Sequence, residues 1–148
     1  MKIRSIEPSD RAEWFRLRCL LWPGSDAEHD RDTTAFFREP QSNLATFVIE
    51  AAAGQLGGFL EAGLRNYAEG CDSSPVAYVE GWYVEPEWRR QGLGRRLVQA
   101  AEAWALGLGL SELASDCAID NDISLQAHQA LGFEEVERII CFRKTLEQ

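Results

Sequence analysis

Between Glu85 and Arg96 the chain reads EPEWRRQGLGRR, two glycines set between two arginine pairs, directly after the β-branched and aromatic run VAYVEGWYV. From Gly92 onward Leu93, Leu97, Ala101, Trp104 and Leu108 recur at helical spacing, so the segment predicts a strand that passes through a loop into a helix N-terminus. The first amides of a helix have no intrahelical acceptor and sit at the positive end of its dipole, which makes such a junction a receptor for anions. Gly92 and Gly94 carry no side chain to hold a phosphate away from those amides, while Arg89, Arg90, Arg95 and Arg96 add positive charge around Gln91 and Leu93. A pyrophosphate is the expected guest. The pattern is neither the G-K-[ST] phosphate loop nor the G-x-G-x-x-G dinucleotide fingerprint. Read on the local pattern alone, a solvated arginine face beside a glycine turn is the alternative.

Charge narrows the choice of partner. The 148 residues carry 15 basic and 24 acidic side chains, a net charge of -9, and four of the basic ones fall within eight positions of this loop. A basic cluster on an acidic molecule suits a small phosphorylated cofactor and argues against nucleic acid. Cys19, Cys71, Cys117 and Cys141 form no C-x-x-C pair, and only His29 and His128 could join them, so no metal site is expected and the thiols are read as reduced and mostly buried. No stretch is apolar enough to span a bilayer and the N-terminus has no signal-peptide pattern, which predicts a cytoplasmic protein with no membrane partner.

The elements that must position the loop follow from periodicity. With 45% hydrophobic and 26% charged residues, the length fits one globular domain over residues 1–148. KIRSIE predicts a strand; Pro8, Ser9 and Asp10 start a helix with Trp14, Leu17 and Leu21 on one face, ending at Pro23-Gly24. Residues 26–38 predict a second, more polar helix, and 43–65 two strands joined near Gly54-Gln55. VAYVEGWYV is expected as a central strand, then come the helix from Gly92 and a strand in SELASDC. A helix capped at Asp120 or Asn121, with Ile123, Ala127 and Leu131 on its apolar face, ends at Gly132, and VERIICFRKTL predicts a final strand. The order is β-α-α-β-β-β-α-β-α-β, which calls for a mixed sheet with helices on both faces.

That order, together with V-x-P-x-x-R-x-x-G-x-G at Val84, Pro86, Arg89, Gly92 and Gly94 and N…LGF at Asn121 and Leu131 to Phe133, resembles the GCN5-related N-acetyltransferase (GNAT) superfamily. The resemblance implies an α/β (α+β) acetyltransferase fold with a largely antiparallel sheet. It also implies that acetyl-CoA, as co-substrate, lays its pyrophosphate on Arg89 to Arg95. The strand before the loop would splay from its neighbour and present the backbone of Trp82, Tyr83 and Val84 to the pantetheine, and Asn121 would reach the cofactor's far arm. Unpaired strand groups need a partner, which gives such a gap a physical sense.

LWPG at Leu21 to Gly24, GCDSSP at Gly70 to Pro75, the Glu80-Gly81 pair, ASD at Ala114 to Asp116 and HQALGFEE-ER from His128 to Arg138 together look like the aminoglycoside 6'-N-acetyltransferases. The cationic substrate that this implies, an aminoglycoside antibiotic, agrees with the residues at the matching positions, Trp22, Tyr67, Glu80, Asp116 and Glu137: carboxylates pair ammonium groups, and ring faces take sugar C–H surfaces and cations. No Ser-His-Asp or Cys-His arrangement is evident, so the expected chemistry is direct attack of the 6'-amine on the thioester, with Glu80 receiving the amine's proton and His128, where the superfamily often has tyrosine, as the acid for the thiolate. Strand alternation would set Glu80 on the face of Trp82. Homodimerisation is implied as well, with Glu137 near the interface. An acetyltransferase for a polyamine or a protein N-terminus, or a non-catalytic acetyl-CoA sensor, are the alternatives.

Overall fold

A computed structural model describes residues 1–148, which pack as two compact units, Met1–Ser115 and Asp116–Gln148. In the first unit β1 (Lys2–Ser5) leads through a short 3-10 turn into α1 (Arg11–Leu21) and α2 (Asp26–Arg38), followed by β2 (Leu44–Ala52), β3 (Gln55–Arg65), β4 (Val76–Val84), α3 (Leu93–Gly107) and β5 (Leu113–Ala114). The five strands form one sheet in the order β1-β2-β3-β4-β5. The first three pairings are antiparallel and β4–β5 is parallel, so the sheet is mixed as expected.

Helices cover both faces because β3 and β4 are apolar on both. Tyr83 turns toward Phe59, in the cluster that α1 supplies with Trp14 and Leu17, while the neighbouring Trp82 lays its ring against Gly94 at the start of α3. Trp14 meets Phe36 and Phe37 of α2 edge to face at 5.1 and 5.9 Å, which joins the two helices over the sheet. The α3 stripe is Leu93, Leu97, Val98, Ala101 and Ala105; Leu108, expected on it, is the helix's C-cap and is exposed. α1 buries Arg18 beside Trp14 and Leu17, a charge inside an otherwise apolar stripe.

Four expectations need correction. SELASDC contributes a two-residue β5, so β4 has a ladder partner on that side only at Ala77 and Tyr78. In the second unit α4 (Asp122–Ala130) forms with Asn121 as its cap, but Ile123 is exposed, and VERIICFRKTL forms no strand: Ile139, Ile140, Phe142 and Leu146 stand exposed along it. A strand exists only through ladder bonds to a neighbour, and a single chain gives this segment none. The thiols of Cys117 and Cys141 are likewise exposed rather than buried. No helix is long and apolar enough to cross a membrane.

Candidate active site

β4 carries two sites on one strand. At its C-terminal end Pro86–Trp88 makes a 3-10 turn, and α3 begins after Gly92, whose φ of 76° lies in the left-handed region. Arg90 shares that region at φ 63°, a conformation costly for a residue with a Cβ and one that folds the loop back on itself. A glycine cap has no side chain to bond the first turn, and the intrahelical ladder starts with the Arg96 amide on the Gly92 carbonyl at 3.1 Å. The amides of Leu93 and Gly94, ahead of that first bond, therefore remain as donors for an external anion. Nothing lies within 4 Å of where a Gly92 side chain would stand, whereas one at Gly94 would meet the Trp82 ring at 3.2 Å. Gly92 is needed for its backbone angle and Gly94 for strand-to-helix packing.

The loop is braced from below. Arg16 of α1 holds Glu85 at 2.7 Å and Glu13 at 2.8 Å, and Glu13 accepts the Leu56 amide. These contacts raise the Arg16 pKa and hold the Glu13 carboxyl below its usual range. Arg89 donates to the Val84 carbonyl at 2.7 Å and lies 5.6 Å from the centre of the Tyr83 ring, so this carbonyl is already engaged within the protein. The ladder between β4 and β5 ends at Tyr78, so from Val79 to Val84 β4 is bonded as a strand to β3 alone.

Glu80 sits at a bulge. Glu61 pairs with Gly81 and Ala62 with Val79, so Glu80 is the extra residue and alternation fails there. Trp82 faces α3, while Glu80 lines a cavity on the α1/α2 side, which overturns the expectation that the two share a face. Arg65 clamps the Glu80 carboxylate through two hydrogen bonds, 2.8 and 2.7 Å, with its guanidinium carbon 3.5 Å from the centre of the Tyr78 ring. Gly81 brings the strand against Trp22: a side chain there would stand 2.9 Å from Trp22 Cζ2 and 3.2 Å from Glu61 Oε2.

The cavity, of about 580 Å³, runs between α1 and α2 on one side and β2, β3 and β4 on the other. Five carboxylates line it, Glu28, Asp32, Glu39, Glu61 and Glu80, against the single guanidinium of Arg18. Arg18, only 8% exposed, spreads its donors over the Glu61 carboxylate at 3.0 Å, Asp32 at 3.0 Å and His29 Nδ1 at 3.2 Å, and its charge lies over the rings of Trp14 and Trp22. An arginine can only donate, so His29 Nδ1 accepts, and Nε2–H donates to the Trp22 carbonyl at 2.9 Å. That bond and the His29 ring stacked at 5.8 Å fix Trp22 at the wall. Burial pushes Glu61 up to about 7, with Arg18 opposing the shift and Asp32 and Glu80 adding to it. Such a cavity rejects anions and accepts a polycation of sugar size.

Of the residues singled out from sequence, Trp22 and Glu80 meet in this cavity, while Trp82 to Val84 end β4 and Arg89 to Arg95 form the loop that follows it into α3. Tyr67 is 69% exposed and outside the cavity wall. In the second unit Asn121 Oδ1 accepts the Ser124 amide at 3.1 Å as the cap of α4. His128 Nδ1–H donates to the Ser124 carbonyl at 2.7 Å, which leaves Nε2 as the lone-pair nitrogen of the neutral ring, and Phe133 packs edge-on against that ring. Asp116 opens the unit and Glu137 is exposed on its C-terminal segment. Missed were Arg18, Glu28, His29, Asp32, Glu39 and Glu61. A signal for them exists in the i, i+4 pair Glu28/Asp32 and in Glu61 standing alone in the apolar run FLEAG, a charge that must be paired if buried.

Residues 10–133 match the model of the acetyltransferase (GNAT) family. The aminoglycoside N(6')-acetyltransferase type 1 of Klebsiella aerogenes is 46% identical over 97% of this chain and 96% of its own length; that of Stenotrophomonas maltophilia is 42% identical over 98% and 94%. Among solved structures, the chain is similar to AAC(6')-Iy in complex with the bisubstrate analog CoA-S-monomethyl-acetylneamine, with a TM-score of 0.89, 40% identity and 98% of both chains covered. It is similar also to the aminoglycoside 6'-N-acetyltransferase AAC(6')-Ih from Acinetobacter baumannii, with a TM-score of 0.90, 39% identity and 99% of both chains covered.

Proposed function

Because the chain belongs to the acetyltransferase (GNAT) family, we propose that it transfers an acetyl group from acetyl-CoA to the 6'-amine of aminoglycoside antibiotics, and so confers resistance to them. The observation that carries this reading is the pairing of opposite electrostatics on one strand: orphan amides and arginines at the end of β4, and a five-carboxylate cavity at its bulge. An anionic donor and a polycationic acceptor are the reactants that such a strand can bring together. The GNAT match spans both units, which supports reading residues 1–148 as a single N-acetyltransferase domain.

Acetyl-CoA supplies the activated thioester carbonyl; the chain's own residues bind, orient and move protons. The amides of Leu93 and Gly94 and the charges of Arg89, Arg90 and Arg95, with Gln91 and Gly92 in the same loop, receive the pyrophosphate, and the stretch Trp82, Tyr83 and Val84 receives the pantetheine through those of its backbone groups that point away from β3. Trp22 and the cavity carboxylates hold the acceptor's ammonium groups. An ammonium has no lone pair, so the reacting nitrogen must lose a proton before the C–N bond forms and the C–S bond breaks; Glu80 takes it, directly or through water, with Arg65 fixing the carboxylate's orientation. The roles of Tyr67, Asp116, Glu137 and Asn121 rest on the resemblance, as does a cytoplasmic setting; His128 stands where the superfamily often has tyrosine, and as acid toward the thiolate it would have to enter the step protonated at Nε2. A homodimer is supported by the exposed row Ile139, Ile140 and Phe142, which a second copy would cover; light scattering after gel filtration is its check.

Thiol release measured over an acceptor panel tests the activity. Aminoglycosides with a 6'-amine should be turned over and their 6'-hydroxyl counterparts should be poor substrates, with NMR placing the acetyl group on the 6' nitrogen. Turnover of spermidine or of peptide N-termini in place of aminoglycosides would refute the acceptor class and leave the donor assignment standing.

A further inference from the structure

Among the acids of the cavity Glu61 has a distinct setting. β3 carries it in a run of buried apolar residues, and only 15% of its side chain is exposed. Oε1 accepts from Arg18, while no protein donor reaches Oε2, which lies beside Gly81. Arg18 cannot neutralise the site alone, since it also serves Asp32 and is held by His29. The groups that face Glu61 are Arg18 from α1, Glu28, His29 and Asp32 from α2, Thr46 from β2, and Glu80 with its clamp Arg65 from β3 and β4. Five carboxylates against the guanidiniums of Arg18 and Arg65 leave an excess of negative charge, and the most buried of them is the one that relieves it by keeping a proton near neutrality.

We propose that Glu61 is a further acceptor-recognition residue, whose carboxyl group gives its proton to solvent when a polycation enters and then pairs through Oε2 with one of the acceptor's ammonium groups. The proposal rests on the aminoglycoside reading and deepens it. One O–H bond breaks, the proton goes to buffer, an ion pair forms and no carbon bond changes. Arg18 is a positioning residue: pinned by Asp32 and His29, it holds Oε1 and leaves Oε2 to the cavity. Acceptor binding should therefore tighten as pH rises toward neutrality, until the acceptor's own amines begin to lose their charge.

Calorimetric titration of neamine into the full chain with CoA present, in buffers of different ionisation enthalpy, reads the protons exchanged. At pH 6 the wild type should release up to about one proton more than Glu61→Gln, a difference fading above the pH where Glu61 ionises unaided. At pH 8 Glu61→Gln should bind neamine roughly 10–100-fold more weakly, as expected when a charged hydrogen-bond partner is lost, with the Kd for CoA unchanged. Equal proton counts and equal Kd overturn the proposal. If Glu61→Gln loses CoA binding too, Glu61→Asp decides: it should keep the proton release, and binding without it overturns the proposal. A wild type that binds CoA yet acetylates no aminoglycoside defeats the functional reading itself, a result distinct from a wild type that acetylates neamine and a Glu61→Gln variant that matches it.

Discussion

The loop from Glu85 to Arg95 and the cavity beside Trp22 share β4 but are made of different parts of the chain. The loop offers consecutive backbone amides, and its demands, a left-handed cap at Gly92 and a side-chain-free contact at Gly94 against Trp82, fall on neighbouring residues. The cavity is lined by side chains from α1, α2 and three strands, and its central charge pair, Arg18 with Glu61, spans 43 positions. A site built from backbone is written contiguously and tolerates changes of side chain; a site built from side chains is scattered, and each member can be removed alone. The two halves should therefore fail differently.

The largest effect is expected in the cavity at Glu80. Glu80→Gln keeps the side chain's volume beside Arg65 and removes its ability to take a proton, so kcat should fall by about 10²–10⁴-fold with little change in the KM for acetyl-CoA. The deficit should shrink as pH rises, because more of the acceptor amine is then neutral without help. A deficit that ignores pH, with a raised KM for the aminoglycoside alone, makes Glu80 an anchor and blurs the contrast between proton chemistry and binding inside the cavity.

Gly92→Val should give the opposite signature. Valine resists a φ of 76°, so the cap must reorganise and turn the Leu93 and Gly94 amides away from the anion. The KM for acetyl-CoA should rise at least about tenfold, or 1.4 kcal/mol, while aminoglycoside affinity stays within about twofold. An unchanged acetyl-CoA KM would remove the loop from the donor site and leave the comparison with only one side.

The same contrast explains what could be read before the fold was known. Loop, helix register and hairpin follow from local spacing, as Leu93, Leu97 and Ala101 illustrate by standing buried along α3. The bulge at Glu80 does not, because it is a mismatch between two strands and neither strand alone records it. For this reason alternation placed Glu80 with Trp82 and missed its company with Trp22. Arg18 looked like one of several polar positions on α1, since only the tertiary approach of Glu61, Asp32 and His29 makes its burial tolerable. VERIICFRKTL had the composition of a strand, but pairing is decided by a neighbour that no local pattern supplies.

The smallest effect is on stability, and it isolates the cavity's charge without any ligand. Burial raises the folded-state pKa of Glu61 from 4.5 to about 7, so between these values the native chain holds a proton that the unfolded chain has already lost. Where the native state binds more protons, stability falls as pH rises. The contribution of Glu61 is thus fully favourable below pH 4.5 and is lost as pH climbs to about 7. Glutamine has no proton to lose, and Glu61→Gln removes this decline while adding a constant penalty from its weaker bond to Arg18. Thermal unfolding at pH 5 and at pH 8 should then show the variant gaining on the wild type in Tm between the two pH values, whatever the offset between them. Parallel Tm curves would mean that Arg18 alone keeps Glu61 ionised throughout, and that the cavity meets its cation already charged.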